Sequence, residues 1–265
     1  MNIYCGIDIG SSSIKIALLN EEVKLIAHSI SPTGSSFRKN ATIALDNLLS
    51  KHQISQTQIK YVVSTGYGRK LFPTADENIS EITANATGSK HSFKNQSVLR
   101  SIINIGGQDS KVIVLDANGY VKNFVMNDKC AAGTGRFLEM AARNLEVDID
   151  DLGELHFANK KPPLAVNSTC AVFAESEIIS LLAAGHGKEE IASGIHYSIA
   201  RRIARLASRA GIDDAVLFDG RTALNKGMHA ALEDELMRDI FIPEHPQITT
   251  AIGAALLAKQ AVENK

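Results

Sequence analysis

One pattern of strands and turns occurs twice in this sequence, and that repetition limits the possible folds more than any other feature. In each copy a strand leads through a turn of glycine and small polar residues into a second strand, and another polar turn leads into a third. The predicted strands are residues 3–9, 14–19 and 23–29 in the first copy, and 101–105, 111–115 and 120–126 in the second. Strands joined by tight polar turns predict a meander in each copy. We interpret the repetition as a structural duplication rather than as a short solenoid repeat.

The rest of the chain favours helices, because apolar residues recur at helical spacing. The predicted helices are residues 38–52, 135–145, 171–184, 188–210, 224–237 and 249–262, and two further strands are predicted at 59–64 and 215–218. No stretch rich in Pro, Gly or Ser divides the 265 residues, so we expect two lobes that share an interface. The predicted lobes are residues 1–95 and 96–265, with the helix at 249–265 packing back onto the first lobe.

The composition argues against several classes of function. Lysine and arginine number 28 against 29 aspartates and glutamates, a formal net charge of −1, which gives no basic surface for nucleic acid or an anionic membrane. Aromatic residues make up 5% and tryptophan is absent, which disfavours stacking on single-stranded nucleic acid. No apolar run reaches the ~20 residues of a membrane span, and a strand begins too early for a signal peptide. Three cysteines do not form a disulfide framework, so we expect a cytoplasmic protein.

The turn of the first copy has the residue types of a phosphate-binding loop. Gly10 lets the backbone turn tightly, and the small residues after it expose successive N–H groups to phosphate oxygens. A lysine adds positive charge, and an aspartate at the strand end is placed to hold Mg²⁺ through water. The candidate nucleotide-binding residues are Ser11, Ser12, Ser13, Ile14 and Lys15, and Asp8 is a candidate catalytic residue. An ordinary polar turn is an equally open interpretation of this segment alone.

Two more turns extend this hypothesis. Gly106 and Gly107 occupy the matching turn of the second copy and are followed by Gln108 and Asp109, which are placed to orient water or metal. Two such turns, one per lobe, would clamp a polyphosphate from both sides. A third turn begins at Gly220, after a buried strand and before a helix, where an adenosine could approach the backbone closely. A simple strand–helix turn is the alternative there.

In their order along the chain, these turns resemble those of the sugar kinase/Hsp70/actin fold. More specifically, the chain resembles the ATPase activators of 2-hydroxyacyl-CoA dehydratases, a family that includes the ATP-binding subunits of benzoyl-CoA reductase. The resemblance implies an α/β, two-lobed, actin-like ATPase fold with duplicated mixed-sheet subdomains. The segments that carry it are GIDIGSSSIK (6–15), STGYGR (64–69), ISEITANATG (79–88), INIGGQDSK (103–111), NDKCAAGTGRFLE (127–139), CAVFAESEIISLLAAG (170–185) and PQITTAIGAALLA (246–258).

Two of the three cysteines precede predicted helices. Cys130 comes before Ala-Ala-Gly-Thr-Gly and a helix, and Cys170 comes directly before another, so both are expected at helix N-termini. There the macrodipole and free N–H groups stabilise a thiolate, and thiolates are the ligands of iron–sulfur clusters. From the residues alone, two buried cysteines that behave as small hydrophobes are the more usual interpretation. Cys5 lies inside the first strand and is expected in the core.

The resemblance favours the cluster interpretation. A [4Fe–4S] cluster takes four thiolates and one chain supplies two, which predicts a homodimer with one oxygen-sensitive cluster on its twofold axis. The family takes an electron from ferredoxin or flavodoxin and, driven by ATP hydrolysis, passes it to a partner enzyme. The resemblance therefore implies an ATPase that uses ATP, Mg²⁺ and the cluster. Its partner would be a 2-hydroxyacyl-CoA dehydratase or a related double-cubane or benzoyl-CoA-type reductase.

The resemblance also implies which residues surround the nucleotide. Those of the two phosphate loops are given above; in addition, Gly133, Thr134 and Gly135 are expected near the phosphates, and Gly220, Asn225 and Gln247 on the adenosine side. The family usually has two adjacent glycines near residue 220. Here the second position is Arg221, whose side chain is expected either to crowd the adenine or to stack on it.

Two other functions stay open at this stage. A small-molecule kinase of the same fold would have a catalytic base in a substrate domain and no need for Cys130 and Cys170. A non-catalytic actin-like scaffold would need neither cluster nor turnover. The histidines do not separate these possibilities, because His156, His186 and His196 have no partner at metal-ligand spacing and are expected to be solvated or satisfied.

Overall fold

The computed structural model describes residues 2–95, 97–127, 130–166 and 170–264. The strands in this part of the chain are β1 (Ile3–Ile9), β2 (Ser13–Leu19), β3 (Leu25–Pro32), β4 (Ile59–Thr65), β5 (Glu77–Asn78), β6 (Ser101–Ile105), β7 (Ser110–Leu115), β8 (Val121–Asn127), β9 (Val216–Asp219) and β10 (Ile240–Phe241). The α-helices are α1 (Phe37–Lys51), α2 (Glu81–Ser92), α3 (Gly135–Leu145), α4 (Leu152–Ala158), α5 (Ala171–Ala183), α6 (Lys188–Ala210), α7 (Lys226–Leu236) and α8 (Thr249–Glu263).

The strands form two five-stranded sheets with the same arrangement. The order is β3-β2-β1-β4-β5 in the first sheet and β8-β7-β6-β9-β10 in the second. In the first, β1 pairs antiparallel with β2 and parallel with β4; in the second, β6 pairs antiparallel with β7 and parallel with β9. The predicted duplication of mixed sheets is therefore confirmed.

The register of the two sheets identifies equivalent residues in the two copies. In the first sheet, Asp8 of β1 lies opposite Lys15 of β2 and opposite Thr65, the last residue of β4. In the second sheet, Asn104 of β6 lies opposite Lys111 of β7 and opposite Asp219, the last residue of β9. The equivalent pairs are Asp8 and Asn104, Lys15 and Lys111, Thr65 and Asp219, and, one residue further on, Gly66 and Gly220. In each sheet, the lysine, the polar residue opposite it and the glycine therefore lie at the same end.

The chain divides into two compact units, which differ from the predicted lobes at their ends. Unit 1 contains residues 1–96, 119–121 and 243–265, and unit 2 contains residues 97–118 and 122–242. Helix α8 lies in unit 1, where it packs against β1 and α2. Glycines make this packing possible: a Cβ added to Gly6 would lie 2.0 Å from Ala251 O, and one added to Gly88 would lie 1.9 Å from Thr249 O.

Two helices and two short strands have no counterpart among the predictions. Helix α2 buries alanine, glycine and serine rather than large apolar residues, so its sequence lacks the helical pattern of Leu, Ile and Val. Helix α4 has only seven residues. Strands β5 and β10 have two residues each and depend on pairing with β4 and β9. The helix predicted at 224–237 is a 3₁₀ turn (Arg221–Leu224) followed by α7.

The core of unit 2 is built from the second sheet and the helices around it. Phe137, Ile199 and Phe218 belong to one continuous buried cluster that also contains residues of α4, α5 and α7. Helix α5 is only partly covered, since its buried residues are Ala174 and Ile178. Within the described residues, no helix has both the length and the apolar character that a membrane crossing requires.

Candidate nucleotide and thiol site

The first glycine-serine turn is closed by backbone hydrogen bonds and tied to the end of β3. Gly10 N–H donates to Ser13 O at 3.0 Å, which closes the β1–β2 hairpin. Thr33 then bonds the turn twice: its Oγ1 donates to Gly10 O at 2.7 Å, and its N–H donates to Ser12 O at 3.1 Å. The predicted phosphate loop is therefore a fixed turn, and Thr33 is a structural partner that sequence reasoning missed.

A carboxylate and a lysine face each other beside this turn. Lys15 Nζ lies 3.0 Å from Asp8 Oδ2, and the aspartate side chain is buried while the lysine is partly exposed. The two residues are direct neighbours across the β1–β2 ladder. The structure therefore brings the predicted catalytic Asp8 and the predicted phosphate-binding Lys15 into contact.

Two glycines after β4 complete this region of unit 1. Gly66 has φ +86°, and a Cβ there would lie 2.4 Å from Asp8 Oδ1, so only glycine fits beside the carboxylate. Gly68 N–H donates to Ile9 O at 2.8 Å. Neither glycine was assigned a role at the site from the sequence. Their position directly after a strand, in the segment STGYGR, is the signal that marks them.

The second turn repeats this chemistry in unit 2 with one change. Gly106 N–H donates to Asp109 O at 2.9 Å, and Lys111 Nζ lies 2.9 Å from Asp109 Oδ2. Lys111 is only 1% exposed, so its charge is compensated within the fold. Gln108 is half-buried in the same turn. Asp109 therefore pairs with Lys111, which is the equivalent of Lys15. The carboxylate of this pair lies in the turn, whereas in the first copy Asp8 lies in the strand.

The segment before α3 meets the second turn directly. Gly135 N–H donates to Gly106 O at 2.8 Å, and Arg136 N–H donates to Gly107 O at 3.1 Å. A Cβ added to Gly135 would lie 3.2 Å from Gly106 O. Thr134 is the N-cap residue of α3. Residues 135 and 136 are therefore hydrogen-bonded to the second turn within unit 2.

The third turn also approaches this region. Gly220 has φ +92°, and a Cβ there would lie 2.4 Å from Ile105 O, so a side chain is excluded. Thr222 Oγ1 lies 3.6 Å from the position of a Cβ on Gly135. Arg221 is exposed and begins the 3₁₀ turn, and its backbone φ is not in the left-handed region. Its backbone therefore does not require the glycine that the family usually has.

The remaining predicted adenosine residues lie in different surroundings. Asn225 Oδ1 accepts from Met228 N–H at 2.9 Å and thereby caps α7, and its Nδ2 lies 3.0 Å from His196 Nε2. Both Oδ1 and Nδ2 of Asn225 therefore have partners within unit 2. Gln247 is half-buried just before α8 in unit 1.

Histidines 156 and 196 are buried neighbours, which the sequence did not indicate. Their ring centroids lie 5.1 Å apart. Burial, with a smaller contribution from His156, lowers the pKa of His196 to about 3. Among the described residues, Nδ1 of each ring has no hydrogen-bond partner. Both rings are buried rather than solvated, and His196 is hydrogen-bonded through Nε2 to Asn225, whereas His186 Nδ1 lies 3.1 Å from Glu190 Oε2.

A buried amide–carboxylate pair is a further residue pair missed from the sequence. Asn104 Nδ2 donates to Asp219 Oδ1 at 2.6 Å, and both side chains are buried. Asp219 directly precedes Gly220, and Asn104 is the equivalent of Asp8. The pair joins β6 to β9 at the strand ends that carry the second and third turns.

The two cysteines of the specific motifs have different local structures. Cys170 is the N-cap residue of α5, as predicted. Cys130 is not at a helix N-terminus: four residues separate it from the first residue of α3, whose N-cap is Thr134. The prediction was wrong there because residues 131–134 form turns rather than a first helical turn. Asp128 and Lys129, which belong to this motif, lie outside the described residues.

The three cysteines also differ in burial. Cys5 is fully buried, and desolvation raises the pKa of its thiol, as expected for a core residue. Cys130 and Cys170 are half-buried, and Cys130 and Ala171 pack against the same core cluster. Asn127 Nδ2 donates to Cys130 O at 3.1 Å and to Ala132 O at 3.2 Å, which holds the segment that leads to Gly135.

Two of the cysteines have partly accessible thiols. Partly accessible thiols are the ligand type that iron–sulfur clusters use, and Cys130 and Cys170 supply two of them. In the described ranges, no group of three or more His, Cys, Asp or Glu side chains is arranged to hold a metal ion.

The helix that begins after Cys170 exposes apolar side chains. Val172 is 66% exposed, Phe173 65% and Ile179 54%. Exposed apolar side chains concentrated on one helix are typical of a surface that another protein covers. The surface formed by these three residues is called the α5 surface below.

Comparisons with known proteins agree with this geometry. The sequence model of the BadF/BadG/BcrA/BcrD ATPase family matches residues 5–258. The (R)-2-hydroxyglutaryl-CoA dehydratase activating ATPase of Acidaminococcus fermentans is 41% identical over 260 residues, which covers 97% of this chain and 98% of that protein. The solved structure of the activator of the 2-hydroxyisocaproyl-CoA dehydratase from Clostridium difficile, with bound ADPNP, has a TM-score of 0.91 and 40% identity, covering 99% of this chain and 96% of that one.

A more distant structure shows the breadth of the fold. A ROK family glucokinase from Streptomyces griseus, in complex with glucose and AMPPNP, has a TM-score of 0.60 at 14% identity and covers 98% of this chain and 100% of that one. A likeness at this identity shows the fold alone. It supports the actin-like, sugar kinase-like architecture predicted from the turns and gives no support to a kinase activity.

Proposed function

Because this chain belongs to the BadF/BadG/BcrA/BcrD ATPase family, we propose that it is an ATP-dependent activator of a 2-hydroxyacyl-CoA dehydratase or of a related double-cubane or benzoyl-CoA-type reductase. Relatives and structural neighbours of closely matching length carry activator names, which supports this activity for the chain. Because those relatives are named for different acyl-CoA substrates, the proposal extends to the class of partner and not to one acyl group.

The observation that carries the proposal is the connection between Cys130 and the second phosphate turn. Cys130 begins the segment that leads to Gly135, whose N–H bonds Gly106 O at 2.8 Å. A change in the second turn on nucleotide binding would therefore be transmitted to the thiol through five residues of backbone. An activator needs such a connection, because ATP hydrolysis must alter the surroundings of the redox centre.

The two lysine–carboxylate pairs define the proposed nucleotide chemistry. Residues 11–15 and 106–109 offer backbone N–H groups to phosphate oxygens, as the turns of phosphate loops do. Lys15 adds a charge that Asp8 holds in place at 3.0 Å. Asp8 and Asp109 are the proposed carboxylates for water-mediated Mg²⁺ binding and for orienting the attacking water, together with Gln108.

Cys130 and Cys170 are the proposed ligands of a [4Fe–4S] cluster shared by two protomers. When bound, the cluster supplies a one-electron redox centre of low potential. The incomplete donor set of one chain supports a homodimer, and the α5 surface that follows Cys170 supplies apolar area for its interface. We further propose that ferredoxin or flavodoxin is the electron donor and that the protein acts in the reducing cytoplasm, where an oxygen-sensitive site survives.

Anaerobic purification followed by iron and sulfide counting on a sized oligomer tests this proposal. We expect a brown dimer with about four irons and four sulfides, which loses its colour in air. ATP hydrolysis is measured on the same sample. A protein that hydrolyses ATP but takes up no iron on anaerobic reconstitution would contradict the activator function while leaving the ATPase assignment in place.

A further inference from the structure

A buried histidine contacts the residue that joins the third turn to helix α7. Asn225 ends the 3₁₀ turn, where its N–H donates to Thr222 O at 3.1 Å, and it begins α7 as the N-cap residue. His196, on α6, places Nε2 3.0 Å from Asn225 Nδ2. The histidine is fully buried.

The hydrogen bonds fix the orientation of the Asn225 amide. Its Oδ1 accepts from Met228 N–H at 2.9 Å, so the group that faces His196 is the NH₂, a donor. Nε2 of His196 must then be the acceptor, and the proton of the neutral ring lies on Nδ1. If the imidazole could not accept, the half-buried NH₂ of Asn225 would lose this hydrogen-bond partner.

The start of α7 is packed against both buried histidines. A Cβ added to Gly227 would lie 2.6 Å from His156 Cβ and 3.0 Å from His196 Cε1. A glycine is therefore required where the first turn of α7 crosses the rings. This close packing means that the position of α7, and with it the end of the third turn, depends on His196.

From these contacts we propose that His196 is a positioning residue of the nucleotide site, which acts by holding the Asn225 amide and thereby the turn from Gly220 to Asn225. The turn in question carries Thr222, which approaches Gly135 beside the second phosphate turn. The inference rests on the proposed function in one respect: the ligand of this turn is an adenine nucleotide.

The test compares ADP affinity, by calorimetry, in His196→Leu and His196→Gln. Leucine removes the acceptor, whereas the Oε1 of glutamine restores one. Loss of one net hydrogen bond changes an equilibrium about fivefold, so we expect H196L to raise the Kd for ADP about fivefold and H196Q to stay close to the unsubstituted protein. Ile203→Ala, which truncates a buried residue two turns further along α6, controls for general destabilisation.

The outcomes separate positioning from simple packing. Weakened ADP binding in H196L but not in H196Q or I203A supports the proposal. Equal ADP affinity in H196L and the unsubstituted protein overturns it, as does equal weakening in H196L, H196Q and I203A. Should H196L not fold, His196→Ala, which also removes the acceptor, takes its place: the proposal then requires weaker ADP binding in H196A than in H196Q.

Failure of the proposed function gives a different result. If the unsubstituted protein itself does not bind ADP, the nucleotide site is wrong and the experiment ends there. If it binds ADP and H196L binds equally well, the site stands and only the role of His196 is lost.

Discussion

Lys15 and Asp8 form an ion pair across the first hairpin, with Nζ 3.0 Å from Oδ2. The second copy keeps the lysine, as Lys111, but Asn104 replaces the strand aspartate, and the carboxylate partner comes from Asp109 in the turn. A duplicated fold has thus retained a lysine–carboxylate pair in both halves while moving the acid by five residues.

Lys15→Ala should weaken ATP binding. The lysine is partly exposed beside the first turn, so its removal takes away one charge-assisted contact, an interaction of roughly 1.5–3 kcal/mol. We expect the Kd for ATP to rise at least about tenfold by calorimetry. Lys24→Ala, an exposed lysine between β2 and β3, is the matched control and should bind ATP normally. Unchanged affinity in K15A would remove Lys15 from the site.

Cys130→Ala and Cys170→Ala should each abolish the cluster. Loss of one ligand per protomer takes two of four thiolates from a shared cluster. We expect iron and sulfide close to zero after anaerobic reconstitution, with ATP binding retained. Cys5→Ala, a substitution in the core of unit 1, should keep the full iron content because its buried thiol is not a ligand. Full iron in C130A would contradict the assignment.

Gly220→Ala should be far more destabilising than Gly211→Ala. Both glycines have positive φ, +92° and +77°, so alanine is strained at each by about 1 kcal/mol. At Gly220 the added Cβ would also lie 2.4 Å from Ile105 O, whereas among the described residues nothing lies within 4 Å of a Cβ at Gly211. Denaturant unfolding should show a cost at least about 2 kcal/mol larger for G220A, and equal costs would refute the close packing.

The stability of the protein should fall in acid partly because of His196. Burial lowers the pKa of this histidine from its ordinary 6.5 to about 3 in the folded protein. Between these values the unfolded chain binds a proton that the folded chain does not, so the free energy of unfolding decreases as pH falls from about 6.5 towards 3. Above pH 6.5, where the ring is neutral in both the folded and the unfolded chain, its full contribution to the free energy of unfolding is present.

His196→Gln isolates this effect, because glutamine has no titration in the range. Below pH 6 the unfolding free energy of the unsubstituted protein should decrease by up to about 1.4 kcal/mol per pH unit more steeply than that of H196Q. Denaturant titrations from pH 4.5 to 7.5 measure the difference. Parallel curves for the two proteins would show that His196 is not kept neutral by the fold.

Phe173→Ser should weaken the proposed dimer. The side chain is 65% exposed on the α5 surface, and a polar residue there removes apolar area from the interface. We expect light scattering to show a shift to monomer, with reduced iron content as a consequence. Val98→Ser, at a residue of similar exposure in unit 2, should leave the dimer intact. A stable dimer in F173S would place the interface elsewhere.

Local sequence patterns predicted most of the strands and longer helices. Apolar runs bounded by tight polar turns predicted the strands of both copies, and the helical spacing of apolar residues predicted α3 and α6 within a residue. Helix α2 was not predicted, because its buried face consists of small residues whose burial depends on α8, more than 150 positions away. Asn85 Nδ2 donates to Thr250 Oγ1 at 3.0 Å across that contact.

Patterns within the sequence predicted two copies of one hairpin motif and two cysteine motifs. Those features are local, since each depends on residues a few positions apart. Only the packed structure shows that Asn104 bonds Asp219, that Asn225 contacts His196, and that Cys130 lies before the helix rather than at its N-cap. The physical reason is that a buried polar group must find its partner among whichever elements pack around it, and no local pattern specifies that packing.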